Sequence, residues 1–312
     1  MTMEDSLLPG TPEAFDLFGE PLYRRPIRLW LPADEDAYEA KLRQLQEDYE
    51  GSLEEYAGDP DDPERIIWLG RRTGILGRFV EAVTIYSRGI EKFPADPRFP
   101  RFRGHRFVIL RRLDLAIGDL ERAAGLIEGR PDEQEFYASG GRSEDKLGVS
   151  SFNWNVWYHL GFAYFAAGRF RESVDAYRRC MEAADNTESV VATSHWLYMA
   201  LLRHGDDSGA ERLLEGVQSG LDLVEVGDYY ETLLMCKGET TPEALLEKAR
   251  TQGPVRFITR GQAVANLYMA RGEVGKAVEV FHEVHATGEW SAGVHLIAES
   301  ELRRMGESPK KK

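Results

Sequence analysis

Residues Trp157–Met181 read WYHLGFAYFAAGRFRESVDAYRRCM, and this stretch decides the fold. Apolar residues recur at three- and four-residue intervals on both sides of a break at Gly168, the pattern of two amphipathic helices joined by a tight turn. Trp157, Leu160, Gly161 and Tyr164 fall on the packed stripe of the first helix, and Tyr177 and Cys180 on that of the second. Gly161 and the small Ser173 let the two antiparallel helices approach closely, while the large residues fill the groove toward the next pair. Gly168 takes the turn conformation that a side chain opposes. His159 sits between Tyr158 and the Leu160-Gly161 pair, so the same stretch asks whether it is scaffold or site.

The pattern recurs along the chain. Similar helix–turn–helix units are expected near residues 63–96, 97–127, 154–187, 191–220, 224–252 and 258–288. The first carries Leu69, Gly70, Gly77, Phe79, Ala82 and Tyr86; the fifth is degenerate, with Thr241-Pro242 opening its second helix. Together they predict an all-α, right-handed superhelical solenoid over residues 63–289. Residues 1–33 read as a proline-punctuated extended arm packed along it. Residues 34–62 read as an acidic capping helix and linker, with Leu42, Leu45, Tyr49, Leu53 and Tyr56 at helical spacing. Residues 290–312 read as a C-terminal capping helix and basic tail, because terminal repeats expose core that needs covering. Residues 128–153 form an insertion between the second and third units.

The composition narrows the function classes. A hydrophobic fraction of 42% over 312 residues suffices for a large core. The net charge of −14 is uneven: residues 1–62 hold 17 Asp/Glu against 5 Lys/Arg, and the rest of the chain is nearly neutral. That argues against general nucleic-acid binding, which needs clustered cations to displace phosphate counterions. No run approaches the roughly 18–20 apolar residues of a membrane span, and the N-terminus lacks the basic-then-apolar pattern of a secretory leader. Two isolated cysteines, Cys180 and Cys236, read as reduced thiols, so a cytoplasmic location is expected.

On these residues the chain resembles the tetratricopeptide repeat (TPR) superfamily. More narrowly, the phrases IIWLGRRTGILGRF, RFRGHRF, NVWYHLGFAYF, SHWLYMALLR and IAESEL resemble those of bacterial TPR proteins for which no activity is known. The resemblance implies protein or peptide binding on the concave surface formed by the first (A) helix of each unit. Carried onto this sequence, the groove positions are Arg71, Arg101, His105, Asn155, Tyr158, Phe162, His195, Met199, Gln262 and Asn266, with His159 at the margin and Arg203 one position beyond. Cations, amides and aromatic residues suit a polar or anionic peptide segment. One TPR mode clamps a C-terminal carboxylate with Lys and Asn; here Ile67, Arg71 and Phe102 stand at those positions, and the clamp is not carried over.

Other readings compete with this one. His159 and His195, with Glu299, could serve an enzyme or a metal site, although A helices spaced roughly 8–10 Å apart spread His105, His159 and His195 too far for a joint three-histidine site. The His282–His285 run, HEVH, reads as a solvated face. The arginines at 98, 101, 103, 106, 111 and 112 read either as an anion patch or as partners of nearby acids. A third reading is a homo-oligomer in which the acidic N-terminal region docks on a neighbour's basic patch. No catalytic motif and no cofactor are expected.

Overall fold

A computed structural model describes residues 11–26, 34–135 and 150–308. The flanking parts of the predicted arm, the centre of the insertion and the last four residues lie outside the described residues. Among the described residues fourteen helices account for nearly all regular structure. A first helix, α1 (Glu35–Gly58), precedes six helix pairs: α2 (Pro63–Ile75) with α3 (Phe79–Lys92), α4 (Arg98–Ile109) with α5 (Leu113–Ile127), α6 (Phe152–Ala166) with α7 (Phe170–Glu182), α8 (Thr187–His204) with α9 (Asp207–Glu215), α10 (Gly227–Cys236) with α11 (Pro242–Thr251), and α12 (Pro254–Ala270) with α13 (Val274–Ala286). A last helix, α14 (His295–Arg304), follows. The chain divides into two compact units, one holding residues 11–26, 34–131 and 290–292, the other 132–135, 150–289 and 293–308.

Local chemistry sets the helix starts. Asp62 accepts from the Glu64 amide ahead of Pro63, and Thr241 accepts from the Ala244 amide ahead of Pro242, so both helices open on a side-chain cap followed by proline. Asn186 and Ser189 form a reciprocal capping box at the start of α8. The close approach expected at Gly161 is present: a Cβ there would meet the Tyr177 ring at 2.8 Å, and the Ser173 hydroxyl donates to the Gly161 carbonyl at 2.9 Å.

In the first unit Leu45 and Tyr49 of α1 join Ile66, Leu69, Ile75, Tyr86, Phe99 and Phe102 in one core, whereas Leu53 is exposed. The described part of the arm is a short hairpin, not a single extended strand: β1 (Ala14–Phe15) pairs antiparallel with β2 (Pro21–Leu22). Asp16 makes the turn by accepting from the amides of Phe18 and Glu20. The hairpin is held by Glu13, whose carboxylate accepts from the Val80 amide in the first turn of α3 at 3.0 Å and from Arg24 at 3.2 Å. Gly77 has φ +77°, and a Cβ there would lie 2.2 Å from the Arg25 carbonyl oxygen, so the backbone of the arm rests on a residue with no side chain. Phe79, Ile109, Leu110 and Trp290 pack together beneath Ala14 and Leu22.

In the second unit a two-residue ladder of β3 (Gln134–Glu135) and β4 (Ser150–Ser151) leads into α6. The A helices α6, α8, α10 and α12 pack side by side, and α14 packs on α6, α12 and α13. His282, read from the sequence as solvated, is buried, because α14 and the residues after it lie over that part of α13; its Nε2 is 4.0 Å from Glu307.

The Gly161–Tyr177 contact is testable by thermal denaturation. Gly161→Ala is expected to cost about 1–3 kcal/mol, as overpacking does, and to lower Tm. Gly118→Ala in α5, where an added Cβ meets nothing within 4 Å, is expected to leave Tm unchanged or raise it.

Candidate functional site

The A-helix residues singled out above fall into two sets, one in each unit. In the first unit Arg71 lies one turn beyond Trp68 on α2, and Arg101 directly precedes Phe102 on α4. The Arg71 guanidinium is 4.7 Å from the Trp68 ring centroid and 5.0 Å from that of Phe102, and the Arg101 guanidinium is 4.5 Å from the Phe102 ring. Phe102 is stacked in turn on Tyr86. Cation and ring therefore alternate across two adjacent A helices, each contact adding roughly 0.5–2 kcal/mol. Both arginines are nearly buried, 8% and 4% exposed, and His105, one turn beyond Arg101, is half-buried. Each of the three also makes contacts within the chain other than those described.

Three others of the arginine run have partners of their own. Arg98 pairs with Asp96 and with Glu64, and Arg103 forms a two-pronged pair with Asp119 at 2.6 and 2.7 Å. Arg111 donates to the carbonyls of Ile109 and Trp290. For Arg98 and Arg103 the acidic partners are close in sequence or on the neighbouring A helix.

In the second unit the named residues form a buried polar chain with an unambiguous direction. The Thr232 hydroxyl donates to the Tyr229 carbonyl at 2.6 Å, so toward His195 Nδ1, also at 2.6 Å, it can only accept. His195 therefore carries its proton on Nδ1, and its Nε2 faces the Gln262 amide nitrogen at 3.3 Å. Asn266 Nδ2 donates to the Gln262 main-chain carbonyl at 2.8 Å and lies 3.3 Å from its Oε1. Arg203 donates to Asn266 Oδ1 at 2.7 Å and to Glu301 of α14 at 2.8 Å. Glu301 also takes Arg304, which in turn reaches the Ala166 carbonyl. The chain thus links α10, α8, α12, α14 and α6.

Aromatic groups close around it. The His195 ring is stacked on Tyr229 at 4.6 Å, Trp196 Nε1 donates to the Tyr158 hydroxyl at 2.9 Å, and Tyr158 donates to the Tyr229 hydroxyl at 3.2 Å. Phe162 meets Trp196 edge-on at 5.0 Å, and His159 meets Tyr158 edge-on at 5.5 Å. Asn155 donates to Ser150 and Ser151, tying α6 to β4. His195, Met199, Gln262 and Asn266 have no exposed surface, while His159 and Arg203 are half-buried. Burial pushes the His195 imidazole down to about 3, and burial likewise holds the Tyr158 hydroxyl well above its ordinary range.

The residues that complete this chain and escaped the sequence reading are Tyr229, Thr232 and Glu301. The first two sit in the degenerate fifth unit. Glu301 was visible only as one of two glutamates in the phrase IAESEL. Among the described residues no group of three or more His, Cys, Asp or Glu side chains could hold a metal ion, and no helix is long and apolar enough to cross a membrane.

Residues 154–187, the unit that contains the opening stretch, match the family model of the tetratricopeptide repeat. No curated protein matches the sequence. Among solved structures the chain is similar to a tetratricopeptide repeat protein from Parabacteroides merdae, at 13% identity and TM-score 0.47, over 83% of this chain and 94% of that one. It is also similar to YrrB, described as a TPR protein with an unusual peptide-binding site, at 12% identity and TM-score 0.44, over 82% and 99% of the two chains. A MamA double mutant, MamA RS-1, aligns at 15% identity and TM-score 0.43, over 65% and 93%. Residues 154–187 carry the tetratricopeptide repeat, and the fold of the described residues is an all-α array of helix pairs.

The buried histidine makes a pH prediction. In the unfolded chain His195 takes up a proton near pH 6.5, whereas in the folded chain it does so only near 3. Above pH 6.5 it therefore contributes no pH dependence, and between 6.5 and 3 stability falls with pH by about 1.4 kcal/mol per unit. In urea denaturation, moving from pH 6.5 to pH 5.0 is expected to cost the wild type about 2 kcal/mol more than it costs His195→Gln.

Proposed function

We propose that this protein is an interaction scaffold and that an acidic segment of a partner protein docks on the A-helix face of the first unit, at Arg71, Arg101 and His105. The observation that carries this reading is the alternation of guanidinium groups with the Trp68 and Phe102 rings across α2 and α4. Both guanidinium groups lie against aromatic rings, which leave their N–H groups as the donors for a carboxylate, the group arginine recognises by paired donation. His105 extends the row by one turn at its more exposed margin. All three already have contacts within the chain, so docking exchanges some of those contacts for new ones. In the second unit, by contrast, Arg203 already holds the carboxylate of Glu301, and His195, Gln262 and Asn266 are committed to one another. That face supports the scaffold, and the docking role falls to the first unit.

Calorimetric titration with a glutamate-rich peptide, against a lysine-rich peptide of equal length, tests the reading. The acidic peptide is expected to bind, and His105→Glu and Arg101→Gln are each expected to weaken it about ten-fold or more, with melting curves checking that both variants still fold, Arg101→Gln at a lower Tm because its ring contact is lost. Equal binding of both peptides, or undiminished binding by both folded variants, would overturn it.

A further inference from the structure

The loop between α9 and α10 contains Leu221–Val226, LDLVEV, and it is held by hydrogen bonds on two sides. The Glu188 carboxylate, in the first turn of α8, accepts from three successive backbone amides, those of Val224, Glu225 and Val226, at 2.6, 3.2 and 3.0 Å. The Tyr230 hydroxyl braces the other side, donating to the Gln218 carbonyl at 2.9 Å and accepting from the Leu221 amide at 3.2 Å. The result is a fixed tip on which Val224 stands 93% exposed between the exposed acids Asp222 and Glu225. A single exposed aliphatic residue needs no explanation. One held out by three hydrogen bonds is preorganised, so little ordering entropy opposes its docking.

The first unit carries a surface with the complementary chemistry. A cleft of about 340 Å³ has Leu42, Leu76 and Pro26 as its apolar lining and Arg24, Arg43, Arg78 and Gln46 around them. Its cations are not neutralised equally. Arg24 is paired with Glu13, and Arg78 lies 4.5 Å over the Tyr49 ring, whereas Arg43 is 68% exposed and only loosely paired with Glu39 at 3.7 Å. In an N-terminal region with 17 acids and 5 cations, two of those cations line this cleft.

We propose that the LDLVEV tip of one copy docks in the arginine-lined cleft of a second copy, Val224 entering against Leu42 and Leu76 while Asp222 and Glu225 meet Arg43 and Arg78. The contact is head-to-tail: each copy offers one tip and one cleft, so association is heterologous. The occupied area is that of a loop tip, well below a standard interface, so the association is weak, with Kd on the order of 0.1 mM, and is weakened by salt.

Two variants separate the halves of the contact. Val224→Asp alters the tip and leaves the cleft; the double variant Arg43→Glu, Gln46→Glu alters the cleft and leaves the tip. The positions altered are at least partly exposed, and melting curves check that both variants fold. In sedimentation velocity from about 10 µM to about 1 mM, the wild type is expected to gain mass with concentration, and each variant alone to associate about ten-fold or more weakly. Mixed together, the two variants are expected to form a 1:1 pair that grows no further, because one intact tip meets one intact cleft. A wild type that stays monomeric throughout would overturn the proposal, as would variants that associate like the wild type or a mixture that fails to pair.

Discussion

The second unit depends on a charge pair taken almost wholly out of water. Glu301 is 1% exposed and lies 2.8 Å from Arg203. Desolvating a carboxylate costs several kcal/mol, which is recovered only when good geometry and further hydrogen bonds satisfy its oxygens. Here Arg304 supplies the second cation, and Arg203 spends another donor on Asn266. With the Arg203 end fixed as donor and the Thr232 end fixed by its bond to the Tyr229 carbonyl, Asn266, Gln262 and His195 have little orientational choice. A histidine that would be a candidate ligand or base on an exposed face becomes a neutral spacer, both of its ring nitrogens already used.

The first unit solves a similar problem differently. Its A helices also bury cations, but Arg71 and Arg101 lie against aromatic rings. A ring face offers a cation electrostatic stabilisation without fixing the direction of its N–H groups. The two faces, built from the same repeat plan, are therefore suited to different work. One is a closed polar core and the other a candidate surface for reading negative charge.

Much of the fold was legible because it rests on short-range rules. The spacing around Gly161 and Gly168, the small residue at Ser173 and the Thr241-Pro242 helix start each act within a few residues of where they stand, and each has the consequence its chemistry implies. The hairpin at Ala14–Leu22 was not legible. Its two-residue strands are too short for a periodic signal, and it is fixed by Glu13 reaching Val80 and by the backbone of Arg25 resting on Gly77, contacts across more than fifty residues. The buried state of His282 escaped for the same reason, since the helix that covers it comes later in the chain.

For the candidate sites the division is sharper. By itself the sequence determined which side chains lie on the A-helix faces, because helical period and turn position assign a residue to a face. It could not determine whether a face remains available. That depends on what packs against it, and only the tertiary structure brings Glu301 to Arg203, Thr232 to His195 and the rings of Trp68 and Phe102 to Arg71. The physical reason is that burial and hydrogen-bond saturation are properties of contacts between distant segments, and those contacts decide whether an arginine or a histidine is part of the core or part of a site.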